Sequence, residues 1–331
     1  MAKAKEPPTG GSPLWSHTSK RSSRNKRVRR TARWSVWRTI GGVLLVVALV
    51  VGVFMVLSHQ SAENGAVATP VSVSVLRAVS HVNPSVLTAV GRGGAQNMPR
   101  ALQGQPALTG PTGKSEFFYA GAQYCPYCAA QRWAIVVALS RFGAFSQLAQ
   151  TTSAPDDTDP STPTLTFHHS SYSSAYIDFV PVELQSNQRD TTGNYASLET
   201  PTAQQQHLLD TYDEPPYVSQ NAQGGIPFID IANQFIVAGP GYDSQLLSGL
   251  SWDQIAKDVS DASSLVTQGI VGTANTLTAA ICSTTHQQPE GVCKAAPLPQ
   301  LHQSLGLATA RTQARHLELA MNRSQHGREK T

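Results

Sequence analysis

The sequence is poor in cysteine and in charged residues. Of its 331 residues, four are cysteines and 14% are Asp, Glu, Lys or Arg. So few cysteines exclude a scaffold held together by disulfides, and the fold must depend on a hydrophobic core. The chain has no internal repeats, and its length allows one good-sized domain with appendages.

Acidic residues are almost absent from the first 38 residues. This segment holds eleven Lys or Arg and one acid, Glu6, whereas the whole chain carries a net charge of only +4. A basic run can bind nucleic acid, but beside an apolar segment it favours a cluster that faces anionic lipid. We therefore expect a disordered, basic cytoplasmic tail over residues 1–39 and no nucleic-acid partner.

Charge is absent from Ile40–Leu57. Eighteen helical residues extend roughly 27 Å, close to the thickness of the hydrocarbon core. The preceding basic residues keep the N-terminus in the cytoplasm, so the chain after Ser58 is exported. A signal peptide cleaved at Ala66-Val67-Ala68 is the alternative, although this site lies far beyond the apolar run. We expect a single-pass cell-membrane anchor at 40–57 and no later stretch long and apolar enough to span.

The exported part divides by composition. We expect a linker over 58–70, an extracytoplasmic domain over 71–294 with a polar insertion at about 185–225, and a loose polar tail over 295–331. Strands and helices alternate along this domain, which predicts an α/β fold with a central sheet flanked by helices.

Local signals place several elements of this domain. Val71, Val73 and Val75 alternate with serine, which predicts a half-buried strand. Asn83-Pro84 resembles a helix cap followed by proline at the first helical position, and Gly91 is a natural stop. Ser251-Trp252-Asp253-Gln254 has the form of a capping box and predicts a helix start.

Cys125 and Cys128 are the candidate catalytic residues. A buried strand is predicted over 116–120 and a helix over 129–142, so the Cys-Pro-Tyr-Cys motif lies between them. Backbone N–H groups and the dipole at a helix N-terminus stabilise a thiolate, and Pro126 suits the first turn. Cys125 would attack a substrate sulfur, and Cys128 would resolve the mixed disulfide.

Other interpretations of the motif are a half zinc site and an inert structural disulfide. The chain has no second CxxC motif, which argues against zinc, and the strand–CPYC–helix context favours a redox pair. His168-His169 follows a predicted strand, where adjacent side chains point to opposite faces and rarely share one ion. We therefore expect neither a metal nor a cofactor.

Cys282 and Cys293 form a second pair after the last predicted helix. Their spacing favours a structural disulfide that closes a short loop and stabilises the fold by about 2–3 kcal/mol. A relay pair that exchanges electrons with Cys125 and Cys128 is the alternative.

The segment Phe117–Leu139 resembles the active-site segment of the thioredoxin superfamily, and its Pro126-Tyr127 dipeptide is similar to that of glutaredoxins. Gly225-Ile226-Pro227 resembles the cis-proline loop of that superfamily. The resemblance implies a thioredoxin-like fold in which Pro227 is cis and packs against the motif. It also implies that Ile226 offers its backbone to the substrate chain beside Pro126 and Tyr127. An ordinary trans proline at a strand start is the alternative.

The chain departs from thioredoxins at Tyr119, which stands where they carry a buried Asp. As a whole it resembles an uncharacterised prokaryotic family of membrane-anchored thioredoxin-like proteins. That likeness rests on Tyr124–Ala129 with Arg132-Trp133, on Tyr176–Glu183 and on Asn275–Cys282, and it implies fold and topology more than activity.

These observations predict a membrane-anchored, extracytoplasmic thiol–disulfide oxidoreductase that oxidises or isomerises exported proteins. Its expected partners are the thiols and disulfides of exported proteins, the membrane through Ile40–Leu57, and an unknown redox partner. The alternative is a non-catalytic binding or scaffold module with a structural disulfide at Cys125 and Cys128. Copper handling is a third hypothesis, and the lack of a clear downstream His ligand argues against it.

Overall fold

The computed structural model describes residues 40–55 and 64–305. The chain divides into two units, Met1–Ser58 and His59–Thr331. In the first unit, Ile40–Met55 forms helix α1, whose side chains are exposed along its whole length. Sixteen of the eighteen residues predicted as a span are therefore helical, about 24 Å of helix. The last two, Val56 and Leu57, and the basic tail lie outside the described residues.

By length and composition, one helix of the described residues could cross a membrane, and it lies in the second unit. It is Leu265–Thr284, with a mean hydropathy of 1.2, and 89% of its apolar stretch is buried inside the fold. The expectation that no later stretch is long and apolar enough to span was therefore wrong. A buried core helix meets the same criterion, because it too is apolar all round.

The second unit alternates short strands with helices. Its strands in chain order are β1 Thr69–Pro70, β2 Arg100–Ala101, β3 Ser115–Gly121, β4 Gly143–Ser146, β5 Ala149–Thr152, β6 Pro163–Thr166, β7 Ser171–Ser174, β8 Ile177–Glu183, β9 Gln185–Arg189, β10 Tyr195–Ser197, β11 Phe228–Ile231 and β12 Phe235–Ala238. Its helices are α2 Val73–Ser80, α3 Pro84–Val90, α4 Pro126–Leu139, α5 Ala203–Tyr212, α6 Trp252–Asp258, α7 Leu265–Thr284, α8 Glu290–Cys293 and a further helix over 298–305.

A five-stranded sheet, in the order β2-β12-β11-β3-β8, forms the centre of this unit. Strand β3 pairs in parallel with β8, with Phe117 opposite Phe179, and antiparallel with β11, with Phe117 opposite Ile231. Strand β3 is buried from Glu116 to Gly121 because both sheet faces are covered. A mixed sheet flanked by helices confirms the predicted α/β class.

Three smaller sheets surround the central one. Strands β1, β5 and β6 form an antiparallel sheet, β4 pairs with β7, and β9 pairs with β10. The β9–β10 pair and α5 lie in the insertion predicted at 185–225, which is therefore a hairpin followed by a helix.

The hydrophobic core lies on both faces of the central sheet. On one face, Phe117 and Ile231 belong to the large core that includes the buried residues of α4 and α7. On the other face, Phe118 and Phe228 pack in a smaller core with Leu208 of α5. Helix α4 is buried at almost every position, which fixes the Cys-Pro-Tyr-Cys motif at its start against the body of the domain.

Capping side chains define two helices where the sequence predicted them. Asn83 accepts a hydrogen bond from the N–H of Ser85, Pro84 is the first residue of α3, and Gly91 follows the last. At the start of α6, Ser251 and Gln254 form the reciprocal bonds of a capping box. Both predictions are confirmed.

The strand predicted from Val71, Val73 and Val75 is wrong, because this segment begins helix α2. Ser72 caps the helix by accepting a hydrogen bond from the N–H of Val75. Val75 and Val79, four residues apart, are its buried residues. Alternation over only three valines does not distinguish a strand from the first turn of a helix.

The packed domain extends past both predicted ends. Upstream, the N–H of Gly65 donates to the carbonyl of Asn187 in β9, so residues predicted as linker are held on the domain. Downstream, the helix over 298–305 buries Leu298, Leu301 and Leu305 in the large core. These leucines recur at helical spacing, so this part of the predicted loose tail is a packed helix.

Candidate functional site

Cys125 lies at the junction of strand β3 and helix α4. It is the N-cap of α4, and its side chain accepts a hydrogen bond from the N–H of Cys128, with 3.2 Å between sulfur and nitrogen. Pro126 is the first helical residue, where its missing N–H leaves no donor unused. The sulfur of Cys125 therefore takes the position in which a helix N-terminus stabilises an anion.

The two sulfurs are not bonded to each other, and the pKa values of the two thiols are shifted in opposite directions. A hydrogen bond from the Cys128 thiol lowers the pKa of Cys125, and backbone N–H groups and the charge of Arg132 add to this against the opposing effect of burial. Burial raises the pKa of Cys128 well above its ordinary value, and its hydrogen bond to Cys125 adds to this. The pair therefore consists of an acidic first thiol and a buried second thiol that keeps its proton.

The Ile226–Pro227 loop lies beside Cys125, as the resemblance implied. The Cys125 thiol donates towards the carbonyl oxygen of Ile226 with a sulfur–oxygen distance of 3.8 Å. The Ile226–Pro227 peptide bond is cis, and strand β11 begins at the next residue. The structure thus brings the predicted substrate-binding residue and the predicted nucleophile together.

Exposure at the site is small. Cys125 is 4% exposed and Cys128 is fully buried, in a cluster with Ala122 against which Ile226 packs. Tyr127, predicted to contact the substrate, is 39% exposed. Pro126 is buried. The solvent-facing part of the motif is therefore its tyrosine.

A buried ion pair that was not predicted from the sequence lies beneath the motif. Arg132 of α4 donates from Nε and Nη2 to the two carboxylate oxygens of Glu183, at the end of β8, over 2.8 and 2.6 Å, and both side chains are fully buried. Burial alone would lower the pKa of Arg132, but the charge and hydrogen bond of Glu183, together with Tyr119 and Cys128, outweigh it and the pKa is raised. The guanidinium is therefore a permanent positive charge one turn after Cys128.

Tyr119, the residue at which the sequence was expected to depart from thioredoxins, lies under the motif on strand β3. It is fully buried, and a Cβ at Gly121 would collide with its hydroxyl, so glycine is required there. The guanidinium carbon of Arg132 is 6.0 Å from the centre of its ring. Burial raises the pKa of Tyr119 well above its ordinary value, so the phenol stays protonated.

The β9–β10 hairpin supplies a wall on one side of the motif. Tyr195 stacks on Tyr124, the residue before Cys125, with ring centres 4.3 Å apart. The guanidinium carbon of Arg189 lies over the Tyr195 ring, 4.4 Å from its centre. Asp156 pairs with Arg189 and accepts a hydrogen bond from the Tyr195 hydroxyl. The only sequence signal for this wall was that an insertion exists.

Cys282 and Cys293 lie elsewhere in the molecule. They are joined by a disulfide within the large hydrophobic core, whereas Cys125 and Cys128 belong to a separate small cluster. A relay would require the two pairs to lie together, and the structure places them in separate clusters.

The described residues contain no group of three or more His, Cys, Asp or Glu side chains arranged to hold a metal ion. The prediction that His168 and His169 face apart is wrong. Their rings lie 3.8 Å apart because they follow β6 in a turn, where His169 has a positive φ. His168 instead pairs with Glu199 over 2.8 Å.

Comparison with known proteins gives one match. A family model described as a domain of unknown function (DUF929) matches residues 103–283, more than half of the chain. No curated protein and no solved structure matches. The matched segment runs from before strand β3 to the end of helix α7, so it contains the motif, the ion pair and the Ile226–Pro227 loop.

Proposed function

The chain belongs to the DUF929 family, a domain of unknown function, and we propose from its site that it is a thiol–disulfide oxidoreductase. The enzyme would be anchored in the membrane, its domain with the motif would lie outside the cytoplasm, and it would oxidise or isomerise exported proteins. One observation carries the proposal: the Cys125 sulfur caps helix α4 and lies 3.8 Å from the Ile226 carbonyl.

The proposed fold is thioredoxin-like. Support comes from the unit of strand β3, motif and helix α4, and from the Ile226–Pro227 loop that opens the β11–β12 hairpin. These two parts are 101 residues apart in sequence and meet at the Cys125 sulfur, which is the juxtaposition that the resemblance implies.

The proposed anchor is helix α1, because its apolar side chains are exposed and a basic segment precedes it. Helix α7 is the other apolar helix of the described residues, and its burial against α4 suits a core element. With the basic segment in the cytoplasm, the domain with the motif would be exported, to a compartment in which disulfides persist.

The oxidase reaction would begin with the Cys125–Cys128 disulfide. A substrate thiolate attacks the Cys125 sulfur, and Cys128 leaves as a thiolate and takes a proton. A second substrate thiol then attacks the substrate sulfur of the mixed disulfide, and Cys125 leaves. The substrate loses two electrons and two protons, the pair becomes a dithiol, and an external disulfide reoxidises it. The low pKa of Cys125 makes it a good leaving group in the second step.

The test is to trap the mixed disulfide. The full chain with Cys128→Ala is incubated in reduced form with ribonuclease A of scrambled disulfides and run on a non-reducing gel. We expect a covalent adduct that disappears with reductant, because nothing is left to resolve Cys125. The matched control, Cys125→Ser with Cys128→Ala, should give none. An adduct in neither protein would count against the proposal.

The alternative is a scaffold with a permanent Cys125–Cys128 disulfide, and the small exposure of Cys125 favours it. It would need no partner in exchange and would give no adduct with the trap.

A further inference from the structure

Two hydrogen-bond donors beneath the motif have no acceptor. Among the described residues, the hydroxyl of Tyr119 and the Nη1 of Arg132 are buried without a hydrogen-bond partner. Burying a donor without an acceptor is costly, so each such group in a native structure calls for an explanation. Both belong to fully buried side chains, out of contact with bulk solvent.

Arg132 bonds to the main chain of a residue, Ala122, that packs in the same small cluster as Cys128. Its Nη2 donates to the carbonyl of Ala122 over 2.6 Å. The backbone of the same residue, Ala122, partly offsets the rise that burial causes in the pKa of the Cys128 thiol. The guanidinium therefore holds in place a residue that packs beside Cys128.

Tyr119 completes the surroundings of this sulfur. The charges of Cys125 and Cys128 both act on its phenol, and Arg132 lies against its ring. The charged and titratable groups that act on the two thiols or on this phenol are Tyr119 from β3, Tyr124 from the turn, Arg132 from α4 and Glu183 from β8. Glu183 is the one carboxylate among them, and Arg132 neutralises it.

We infer that Tyr119 and Arg132 form a donor site for the thiolate of Cys128, with Glu183 as the residue that positions Arg132. The inference rests on the proposed function, because such a site acts only when Cys128 loses its proton. The two unused donors have no acceptor in the thiol form and gain one in the thiolate form. This is the arrangement that stabilises charge only where it develops during a reaction.

The site acts in both directions of exchange. In resolution, the Cys128 thiolate attacks the Cys125 sulfur of a mixed disulfide, and the substrate sulfur leaves and takes the proton that Cys128 lost. In oxidation of a substrate, Cys128 is itself the leaving thiolate. Stabilising this transient anion lowers the barrier to both steps. Because Cys128 keeps its proton in the resting reduced pair, the site acts on the rate of exchange in either direction.

The experiment separates the two thiols in time. The reduced full chain is mixed with dithiobis-nitrobenzoate, whose disulfide Cys125 attacks to release a first coloured thiolate. Cys128 then attacks the resulting mixed disulfide at Cys125 and releases a second. The rates of both releases are measured against pH in wild type, in Tyr119→Phe, and in Arg132→Met combined with Glu183→Leu, which removes both charges together. Tyr172→Phe is the matched control, because its hydroxyl bonds to Leu139 at the opposite end of α4.

We expect Tyr119→Phe and the double variant to slow the second release about tenfold or more at neutral pH and to shift its midpoint upwards by about one pH unit, because one pKa unit changes the thiolate fraction tenfold. The first release should change less, and Tyr172→Phe should match wild type. A wild-type second release in Tyr119→Phe would overturn the inference, whatever the double variant does and even if that variant fails to fold. If wild type gives no second release at all, the proposed function itself fails, which is a different result.

Discussion

The two cysteine pairs of this chain lie in opposite chemical surroundings. Cys282 and Cys293 are bonded to each other inside the large apolar core, at the end of the longest helix. Cys125 and Cys128 are free thiols at the start of a helix, above an ion pair and a buried phenol. Both pairs are almost fully buried, so burial does not separate the bonded pair from the free one. The difference lies in the donors and charges that surround each sulfur.

A redox titration should give the largest contrast between the pairs. The full chain is equilibrated at a series of potentials, and its thiols are alkylated and counted by mass. We expect the Cys125–Cys128 couple to respond in the folded protein at a potential roughly 100 mV or more above that of Cys282–Cys293. The reason is that helix N–H donors stabilise the Cys125 thiolate of the reduced first pair, whereas the second pair lies in apolar packing.

The same titration in urea is the control, because unfolding removes both environments and should bring the two potentials together. If Cys125–Cys128 resists reduction until the fold is lost, the two pairs do not differ in the folded protein and the scaffold alternative is favoured.

Deleting the second pair should affect stability and leave the chemistry intact. Cys282 and Cys293 are 11 residues apart, and their disulfide removes the entropy of that loop from the unfolded chain. The double variant Cys282→Ala with Cys293→Ala should therefore lower the free energy of unfolding by about 2–3 kcal/mol. Urea denaturation measures this loss. Both release rates with dithiobis-nitrobenzoate should stay within about twofold of wild type, because the sites share no contact cluster. A large fall in those rates would instead support the relay hypothesis.

Within the Cys125–Cys128 pair, the two thiols should differ in the pH at which they react. We expect this effect to be smaller than the two above. Since the pKa of Cys125 is lowered, its alkylation by iodoacetamide should reach half its maximal rate below about pH 8.5, the ordinary value. Cys128, whose pKa is raised, should stay unmodified over the same range. Because the pKa of Cys125 is lower in the folded chain than in the unfolded chain, its ionisation stabilises the reduced fold at pH values above the unfolded-state pKa. This stabilisation is lost as the pH falls through the folded-state pKa.

Mass mapping identifies the alkylated cysteine, and the protein unfolded in urea provides the reference in which both thiols titrate alike. Equal reactivity of the two thiols in the folded chain would contradict the assignment of Cys125 as nucleophile.

The elements predicted correctly from sequence are those defined by local contacts. Helix α3 is bounded by Asn83, Pro84 and Gly91, all within one short segment. The motif places Cys125 at a helix start for the same reason, since strand and helix flank it directly. Helix α2 was mistaken for a strand because three alternating valines fit both periods.

The parts of the site that were missed are contacts between distant residues. Arg132 and Glu183 are 51 residues apart and meet only because β8 lies parallel to β3. Tyr195 reaches Tyr124 from the β9–β10 hairpin. No periodicity or spacing in a single sequence reports such a meeting, because it is decided by the order of strands in the sheet.

The main chain of Ala122 has a consequence for how this site can be dissected. Its carbonyl accepts a hydrogen bond from Arg132, and its backbone also acts on the Cys128 thiol, so the link between them is main chain. A systematic replacement of side chains would leave that link in place and would understate its contribution. Exchanging the Gly121–Ala122 amide for an ester, by chemical ligation, would delete the N–H of Ala122 and keep every side chain and the carbonyl that Arg132 contacts, and so would expose a part of the site that conventional mutagenesis does not reach.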